Sequence, residues 1–305
     1  MGHEFCGRLL AVPENLQSSG GPGGVRLEVG MHVMIDPRQH CQACTSCTRL
    51  RATNLCPSWG FLGLTGGGGG FAERCAVRAD MCYPLPETLD LASAALIEPL
   101  AVGRRGVLQS GVSAAEWAGK TVLVLGGGPI GIAVLLNLRV LGAKELWVSE
   151  PTAARREQCA ALATRVLDPR GEKVAEECRK ATGGEGVDVV IDCAGVGPAM
   201  RDGMDALRRR GIYVNVAGWE TPFELPMVQV MFKELEVRFS MAYDDADFAA
   251  TVEDFVAGKY EGAEKMVTSR IAIEDIKEKG FEQLVTNKDA HVKILVTPKR
   301  ELLEG

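Results

Sequence analysis

A chain of 305 residues exceeds one ordinary domain, and 46% hydrophobic with 24% charged residues of mixed sign describe a soluble protein with ample core-forming material. A net charge of -6, from 34 basic and 40 acidic residues, gives no basic face for a phosphate backbone and excludes nucleic acid as the expected partner. The apolar runs at 91–102 and 130–140 are interrupted by Glu98 and Pro99 and by Asn137 and Arg139, so no membrane span is expected. The N-terminus lacks the charged start and apolar core of a signal peptide, and Cys6 stands where a myristoylation signal requires Ser or Thr. The chain therefore reads as cytoplasmic, where ten cysteines stay reduced and a tight cluster of them points to metal.

The chain opens MGHEFCGRLL, with His3 beside Glu4. The first hundred residues, rich in Gly, Pro and Cys, carry strand-like pieces (RLLAV, HVMID, CAVRA) and predict a small β-rich domain with long loops. The glycine-rich stretches at 17–24 and 66–70 read as loops, the second as a flexible turn, because no Lys-Ser/Thr follows to make a phosphate cradle.

Between them, HCQACTSCTRLRATNLCP sets Cys41, Cys44, Cys47 and Cys56 in C-x2-C-x2-C-x8-C spacing. Three close thiolates and a fourth on a short return loop close a tetrahedron around Zn²⁺ with no open position, a structural zinc. The rival iron–sulfur run also ends in Cys-Pro but separates its last two cysteines by three residues, against eight here. Cys6, Cys75, Cys82, Cys159, Cys178 and Cys193 stand singly among apolar neighbours as small core residues. Glu98 lies inside the apolar stretch LIEPLAVG, and a buried carboxylate is costly unless paired or metal-bound. His3, Glu4 and Glu98 together offer one imidazole and two carboxylates for a catalytic zinc with an open position.

From Lys120 to Tyr243 short apolar runs alternate with helical stretches, the pattern of a doubly wound parallel sheet. Strands are predicted at 121–125, 145–149, 165–167, 187–192, 212–216 and 236–240, and helices at 130–141, 152–163, 172–181 and 198–209. Gly126, Gly128 and Gly131 stand in G-x-G-x-x-G spacing at the first strand–helix junction, where free N–H groups favour a diphosphate. Nineteen residues after Gly131, Glu150 ends the next strand, placed to accept hydrogen bonds from adenosine ribose hydroxyls and to repel a 2′-phosphate; NAD is favoured over NADP. Arg155 and Arg156 follow and could receive such a phosphate, but their helical position favours reading them as solvated surface cations. The tail predicts a helix at 247–257, a strand at 266–271, a helix at 274–286 and the strand VKILV.

GHEFCG, the four-cysteine lobe, GGGGGFAE, LIEPLAVG, and LGGGPIG with VSEP follow in that order, and the set resembles the zinc-dependent medium-chain alcohol dehydrogenases, being most similar to the butanediol and sorbitol (polyol) branch. The similarity extends to MFKELEV, SMAY and KGFEQLVTNKDAHVKILV. It implies an α/β fold in which a Rossmann doubly wound parallel sheet (104–245) joins a truncated GroES-like β-barrel domain (1–103, with a zinc lobe at 40–57, and 246–305). It further implies a zinc that activates a secondary alcohol or vicinal diol, or the matching ketone, with hydride passing to or from NAD. Carried over by position, His3, Glu4 and Glu98 are the catalytic and metal-binding residues, and Cys41, Cys44, Cys47 and Cys56 are the structural zinc ligands. Gly126, Gly128, Pro129, Ile130, Gly131 and Glu150 form the cofactor fingerprint, and Val216 and Ala217 lie where backbone meets the nicotinamide. The last Rossmann strand, EVRFS, pairs edge to edge in relatives, which implies a homodimer or homotetramer.

The sequence departs from the family at its start. Relatives carry a segment ahead of GHE that supplies a Cys ligand and a relay hydroxyl, neither of which precedes His3, and Cys6 stands at a position that is merely small in relatives. Arg104 and Arg105 stand where relatives are apolar, aromatic or His. The expectation is an under-ligated catalytic zinc and an impaired enzyme, with a non-catalytic NAD-binding, zinc-stabilised protein or a fragment of a longer active chain as alternatives.

Overall fold

The structure, a computed structural model, describes residues 1–16, 20–65 and 67–303. Residues 17–19 of the first glycine-rich stretch and Gly66 of the second lie outside the described residues. The chain forms two compact units, Met1–Ala101 with Tyr243–Gly305, and Val102–Ala242.

In the first unit β1 (Cys6–Arg8), β2 (His32–Ile35) and β5 (Cys82–Leu85) make a three-stranded antiparallel sheet, while β3 (Arg38–Gln39) pairs with β4 (Gly60–Phe61). The apolar side chains Leu27, Val33, Ile35, Leu62 and Met81 fill the core beside the larger sheet. A single turn, α1 (Thr45–Thr48), sits in the cysteine lobe. Asp90 caps α2 (Leu91–Ala94) by accepting from the N–H groups of Ala92 and Ser93, and α3 (Ile97–Leu108) follows.

The second unit is one six-stranded parallel sheet. Its elements in chain order are β6 (Thr121–Leu125), α4 (Pro129–Val140), β7 (Glu145–Ser149), α5 (Ala153–Ala160), β8 (Arg165–Leu167), α6 (Val174–Ala181), β9 (Val187–Asp192), α7 (Gly197–Ala206), β10 (Leu207–Asn215), α8 (Met227–Lys233) and β11 (Glu236–Phe239). The strand order is β11-β10-β9-β6-β7-β8, so the chain turns back at β6 and β9 as a doubly wound fold does. Val122–Leu125 and Val189–Ile191 are almost wholly buried, which is why these strands read as unbroken apolar runs.

The chain returns to the first unit as α9 (Asp245–Val256), β12 (Val267–Ala272), α10 (Glu282–Thr286) and β13 (Lys293–Thr297), with β12 and β13 parallel.

Several boundaries differ from the sequence reading for definite reasons. RLLAV is strand only at Arg8, the end of β1, although Leu9 and Val12 still pack against the core. CAVRA alternates between half-buried and exposed positions and presses Val77 and Ala79 on the core, but it has no ladder neighbour; the strand is the next segment, Cys82–Leu85. Period two reports half-burial, whereas a strand also needs a partner. β10 begins at Leu207, five residues earlier than expected, because a register shift against β9 and a positive φ at Arg210 carry the ladder across an irregular turn. The helix expected over 274–286 breaks into a 3₁₀ turn (Ile273–Asp275), a π-turn (Ile276–Phe281) and α10, with Gly280 buried against Ile271 at the irregularity. Of the six single cysteines, Cys82, Cys159 and Cys178 are buried, whereas Cys6, Cys75 and Cys193 are only half-buried.

Candidate metal centres and cofactor turn

His3, Glu4 and Glu98 each place one ligand atom within 4.8 Å of the others. The glycine run, a loop in its described residues 67–70, packs against this arrangement. The N–H of Gly70 donates to Gly2 O at 2.7 Å and that of Phe71 to Met1 O at 2.9 Å, laying residues 1 and 2 against the run. A Cβ on Gly69 would meet Met1 O at 2.5 Å, one on Gly70 would meet Phe5 Cβ at 2.5 Å, and one on Gly63 would meet Gly2 O at 2.2 Å. Only glycine permits such close backbone approach.

Glu98 comes to the site on the first turn of α3, 2% exposed. Tyr243 donates its hydroxyl to Glu98 Oε1 at 3.0 Å. Burial pushes Glu98 up to about 8, with the Glu4 charge adding to it against the Tyr243 hydrogen bond. The His3 ring meets Phe61 edge-on at 5.7 Å, and burial lowers its pKa against the pull of Glu4, which favours the neutral imidazole a metal requires. Glu4 is ion-paired to Lys293 on β13. One imidazole and two carboxylates fit a divalent cation with an open coordination position. Cys6 stays outside the group: its thiol donates to Leu91 O at 2.8 Å, and burial pushes it up to about 12.

The sulfurs of Cys41, Cys44, Cys47 and Cys56 also lie within 4.8 Å of one another. Backbone N–H groups point at them, from Cys41 to Cys56 Sγ at 3.4 Å and from Cys44 to Cys41 Sγ at 3.3 Å. The N–H groups of Ala43 and Cys44 hold Cys41 at about 6, a thiolate-favouring setting. Four convergent thiols with sulfur-directed amides fit a closed tetrahedral metal.

In the second unit the glycine turn follows β6. Gly126 has φ +91 and donates its N–H to Ser149 O at 2.8 Å. Gly128 is the N-cap of α4, and Pro129 takes its first position. A Cβ on Gly131 would stand 1.9 Å from Gly126 O, so the helix packs this closely only without one. Glu150, 3% exposed, accepts from Gly127 N and from Thr152 N, each at 2.7 Å, and so braces the turn from the end of β7. Arg156 is not a solvated cation as the sequence suggested: it pairs with Asp168 at 2.9 Å and donates to the carbonyls of Glu150 and Pro151. The N–H groups of Val216 and Ala217 donate to Asp192 O, and Ala217 O accepts from Asn215 Nδ2, so most of this backbone pair is engaged inside the protein.

The sequence reading missed Tyr243, Lys293 and Arg38. The aromatic in SMAY and the lysine in VKILV were available as quoted motifs, but nothing in their spacing points across the chain to Glu98 and Glu4.

Comparison with known proteins agrees with this architecture. Residues 1–87 match the alcohol dehydrogenase GroES-like domain and residues 129–257 match the zinc-binding dehydrogenase model. The chain is 34% identical over 303 residues to an (R,R)-butanediol dehydrogenase of Neisseria gonorrhoeae, covering 98% of this chain and 80% of that one. It superposes on the crystal structure of 2R,3R-butanediol dehydrogenase from Bacillus subtilis with a TM-score of 0.85 and 33% identity, covering 98% and 80%. A structure from Sinorhizobium meliloti 1021 solved bound to NADP gives a TM-score of 0.84 at 29% identity, covering 98% and 83%. With a GroES-like unit, a Rossmann-like parallel sheet and such relatives along nearly its whole length, the chain belongs to the zinc-binding medium-chain alcohol dehydrogenase family of oxidoreductases.

Proposed function

We propose that this chain transfers a hydride between NAD and a secondary alcohol or vicinal diol of the butanediol and polyol class, or reduces the matching ketone. The observation that carries the reading is the convergence of His3, Glu4 and Glu98 within 4.8 Å, in a chain that also forms the glycine turn. His3, Glu4 and Glu98 would hold a catalytic zinc, and Cys41, Cys44, Cys47 and Cys56 a structural one. When bound, the first zinc supplies Lewis acidity toward an alcohol oxygen and the dinucleotide supplies the hydride acceptor.

The chain's own residues set the conditions for that chemistry. Burial lowers the His3 pKa and so favours the neutral imidazole, whose lone pair a metal would take. Tyr243 fixes one oxygen of Glu98, leaving the other to a cation. Glu4 is held by Lys293 and would turn from that ammonium to a bound metal. Gly126, Gly128, Pro129, Ile130 and Gly131 seat the pyrophosphate, Glu150 the adenosine ribose, and Val216 and Ala217 the nicotinamide end. Each Glu150 oxygen, already accepting one backbone N–H, retains a lone pair for a ribose hydroxyl, which supports NAD over NADP.

The same reading extends to organisation. The domain division 1–103, 104–245 and 246–305 is supported by the two compact units. A homodimer or homotetramer is supported by β11 at the sheet edge and by the exposed side chains of Met227, Val228, Met231, Phe232 and Phe239. No helix among the described residues is long and apolar enough to cross a membrane, and a four-thiol metal lobe suits the reducing cytoplasm.

The test is reduction of NAD by zinc-loaded protein with 2,3-butanediol, and the reverse with acetoin and NADH, followed at the nicotinamide absorbance. Turnover abolished by His3→Ala supports the assignment, and Cys44→Ser should remove one tightly held zinc per chain. Turnover unaffected by His3→Ala, or a chain that binds NAD and zinc at both sites and turns over no alcohol or ketone, overturns it.

A further inference from the structure

Among the described residues of the first unit Arg38 is the most deeply buried cation, 2% exposed, and every N–H of its guanidinium has an acceptor. Nε donates to Asp36 Oδ1 at 3.0 Å, and Nη2 donates to Asp36 Oδ2 at 2.5 Å and to Asp245 Oδ1 at 2.8 Å. Nη1 donates to Thr53 Oγ1 at 2.9 Å and to the backbone carbonyl of Tyr243 at 2.7 Å. Thr53 in turn donates to Asp245 Oδ1 at 2.7 Å. Burying an ion is expensive, and a well-packed apolar cluster would serve stability as well, so bare stability is a weak reason for this arrangement.

Its specificity is geometric. The guanidinium carbon lies 4.7 Å from the centroid of the Tyr243 ring while Nη1 holds the same residue's carbonyl, so one side chain fixes Tyr243 by backbone and by ring. The ring also stacks on Phe248 at 5.2 Å and meets Phe61 edge-on at 6.2 Å, and Phe61 meets His3. Tyr243 thus has one place for its hydroxyl, which is on Glu98. Thr53 lies three residues before Cys56, so the same guanidinium reaches the cysteine lobe.

Resting on the metal-site reading above, we propose that Arg38 is a positioning residue for the His3–Glu4–Glu98 centre: it holds Tyr243 so that its hydroxyl orients Glu98, and through Thr53 it couples that centre to the four-cysteine lobe. Lysine keeps the charge but offers one compact donor group in place of the planar fork, so it cannot hold Asp36, Thr53, Asp245 and the Tyr243 carbonyl together.

The experiment loads the full chain with cobalt(II). Thiolate-to-cobalt absorption in the all-cobalt chain reports the lobe; the second site is read in chain whose lobe is first filled with zinc, from the d–d bands that cobalt then adds, since a four-thiolate cobalt has strong d–d bands of its own; competition with a chromophoric chelator gives each affinity. Arg38→Lys and Tyr243→Phe should each weaken the second site about tenfold or more, as expected for losing a hydrogen bond to a charged group, with lobe absorption unchanged. Because Arg38 acts through Tyr243, the double variant should be no worse than the weaker single one. Cys44→Ser should weaken the second site in the parent chain but add little in Arg38→Lys. Should Arg38→Lys fail to fold, the Tyr243→Phe affinity and its coupling to Cys44→Ser decide the matter alone. Parental second-site affinity in a folded variant, or strictly additive effects, overturns the positioning role while leaving the metal site standing. A parent chain that takes metal only in its lobe removes the metal site and the positioning role together.

Discussion

Lys293 forms an ion pair with Glu4 from 289 residues away in sequence, both side chains largely withdrawn from solvent. The pair sets a competition: the ammonium neutralises a carboxylate that a metal also needs, and in the metal-free chain it offsets the proximity of Glu4 to Glu98. Lys293→Gln should therefore lower the thermal stability of the metal-free chain while tightening zinc at the second site by on the order of tenfold, because no positive charge has to be displaced or tolerated. Calorimetric titration with zinc alongside thermal melts of metal-free and loaded protein checks both. Weaker zinc binding in the variant would mean that Lys293 supports the bound state instead.

Much of the second unit was legible from sequence because buried parallel strands and the glycine turn are local signals. Val122–Leu125 and Gly126–Gly131 announce themselves within one short window. The cysteine lobe was legible for the same reason, its four convergent thiols spanning residues 41–56. The convergence of His3, Glu4 and Glu98 was legible only through the ordered set of motifs, since His3 and Glu98 carry no local mark of meeting. Arg38, Tyr243 and Lys293 were not legible at all. Their roles come from pairings across some 150 to 290 positions that no periodicity encodes. CAVRA failed differently, since its alternation was real but alternation does not supply a neighbouring strand.

The glycine run is a loop, as the sequence reading has it, and its tight packing makes a sharp expectation. Gly69→Ala and Gly70→Ala place a Cβ 2.5 Å from Met1 O and 2.5 Å from Phe5 Cβ. Each should displace the segment bearing His3 and Glu4, at a cost of about 1–3 kcal/mol in stability. Second-site metal affinity should fall with it, while cobalt absorption of the cysteine lobe persists. Full second-site affinity in either variant would show that the run does not seat the ligands.

The cap of α2 gives a pH dependence. Burial pulls the Asp90 carboxyl upward, but hydrogen bonds from Ser93 and Ala92 and the charge of Arg270 outweigh it and hold the group below its ordinary 3.8. A depressed carboxyl contributes stability that is fully present above the unfolded value and is lost as pH falls through the folded one. Asp90→Ala should thus cost about 1 kcal/mol at pH 7, with the gap between variant and parent closing below about pH 3.8. Urea midpoints of both proteins at several pH values measure it, and a gap that persists undiminished at pH 2.5 would contradict the assignment.

β11 pairs with β10 on one side and is the last strand of the sheet on the other, with Phe239 60% exposed. A charge on such an edge opposes pairing with a second copy. Phe239→Glu should convert an oligomer to monomer in sedimentation without altering NAD affinity. An oligomer of unchanged size would move the interface elsewhere.

In the proposed reading cofactor choice turns on Glu150, and the structure makes the outcome of its replacement twofold. Its carboxylate accepts from the N–H groups of Gly127 and Thr152, each at 2.7 Å, so it shapes the turn besides the ribose contact proposed for it. Glu150→Ala leaves two inward N–H groups without that acceptor, each worth about 1–3 kcal/mol when unmet, and should weaken NAD and NADP alike through the deformed turn. Glu150→Gln keeps one acceptor oxygen and the shape while removing the charge, so it isolates the repulsion of a 2′-phosphate. Arg156 is occupied by Asp168 and gives that phosphate no compensating partner in the parent. Fluorescence titration should therefore find NAD preferred by the parent, the preference narrowed about tenfold or more in Glu150→Gln, and further NADP affinity in Glu150→Gln with Asp168→Asn, where Arg156 is released. Equal affinity of the parent for both dinucleotides would place the discrimination outside Glu150. An unchanged ratio in Glu150→Gln would show that the carboxylate only braces the turn.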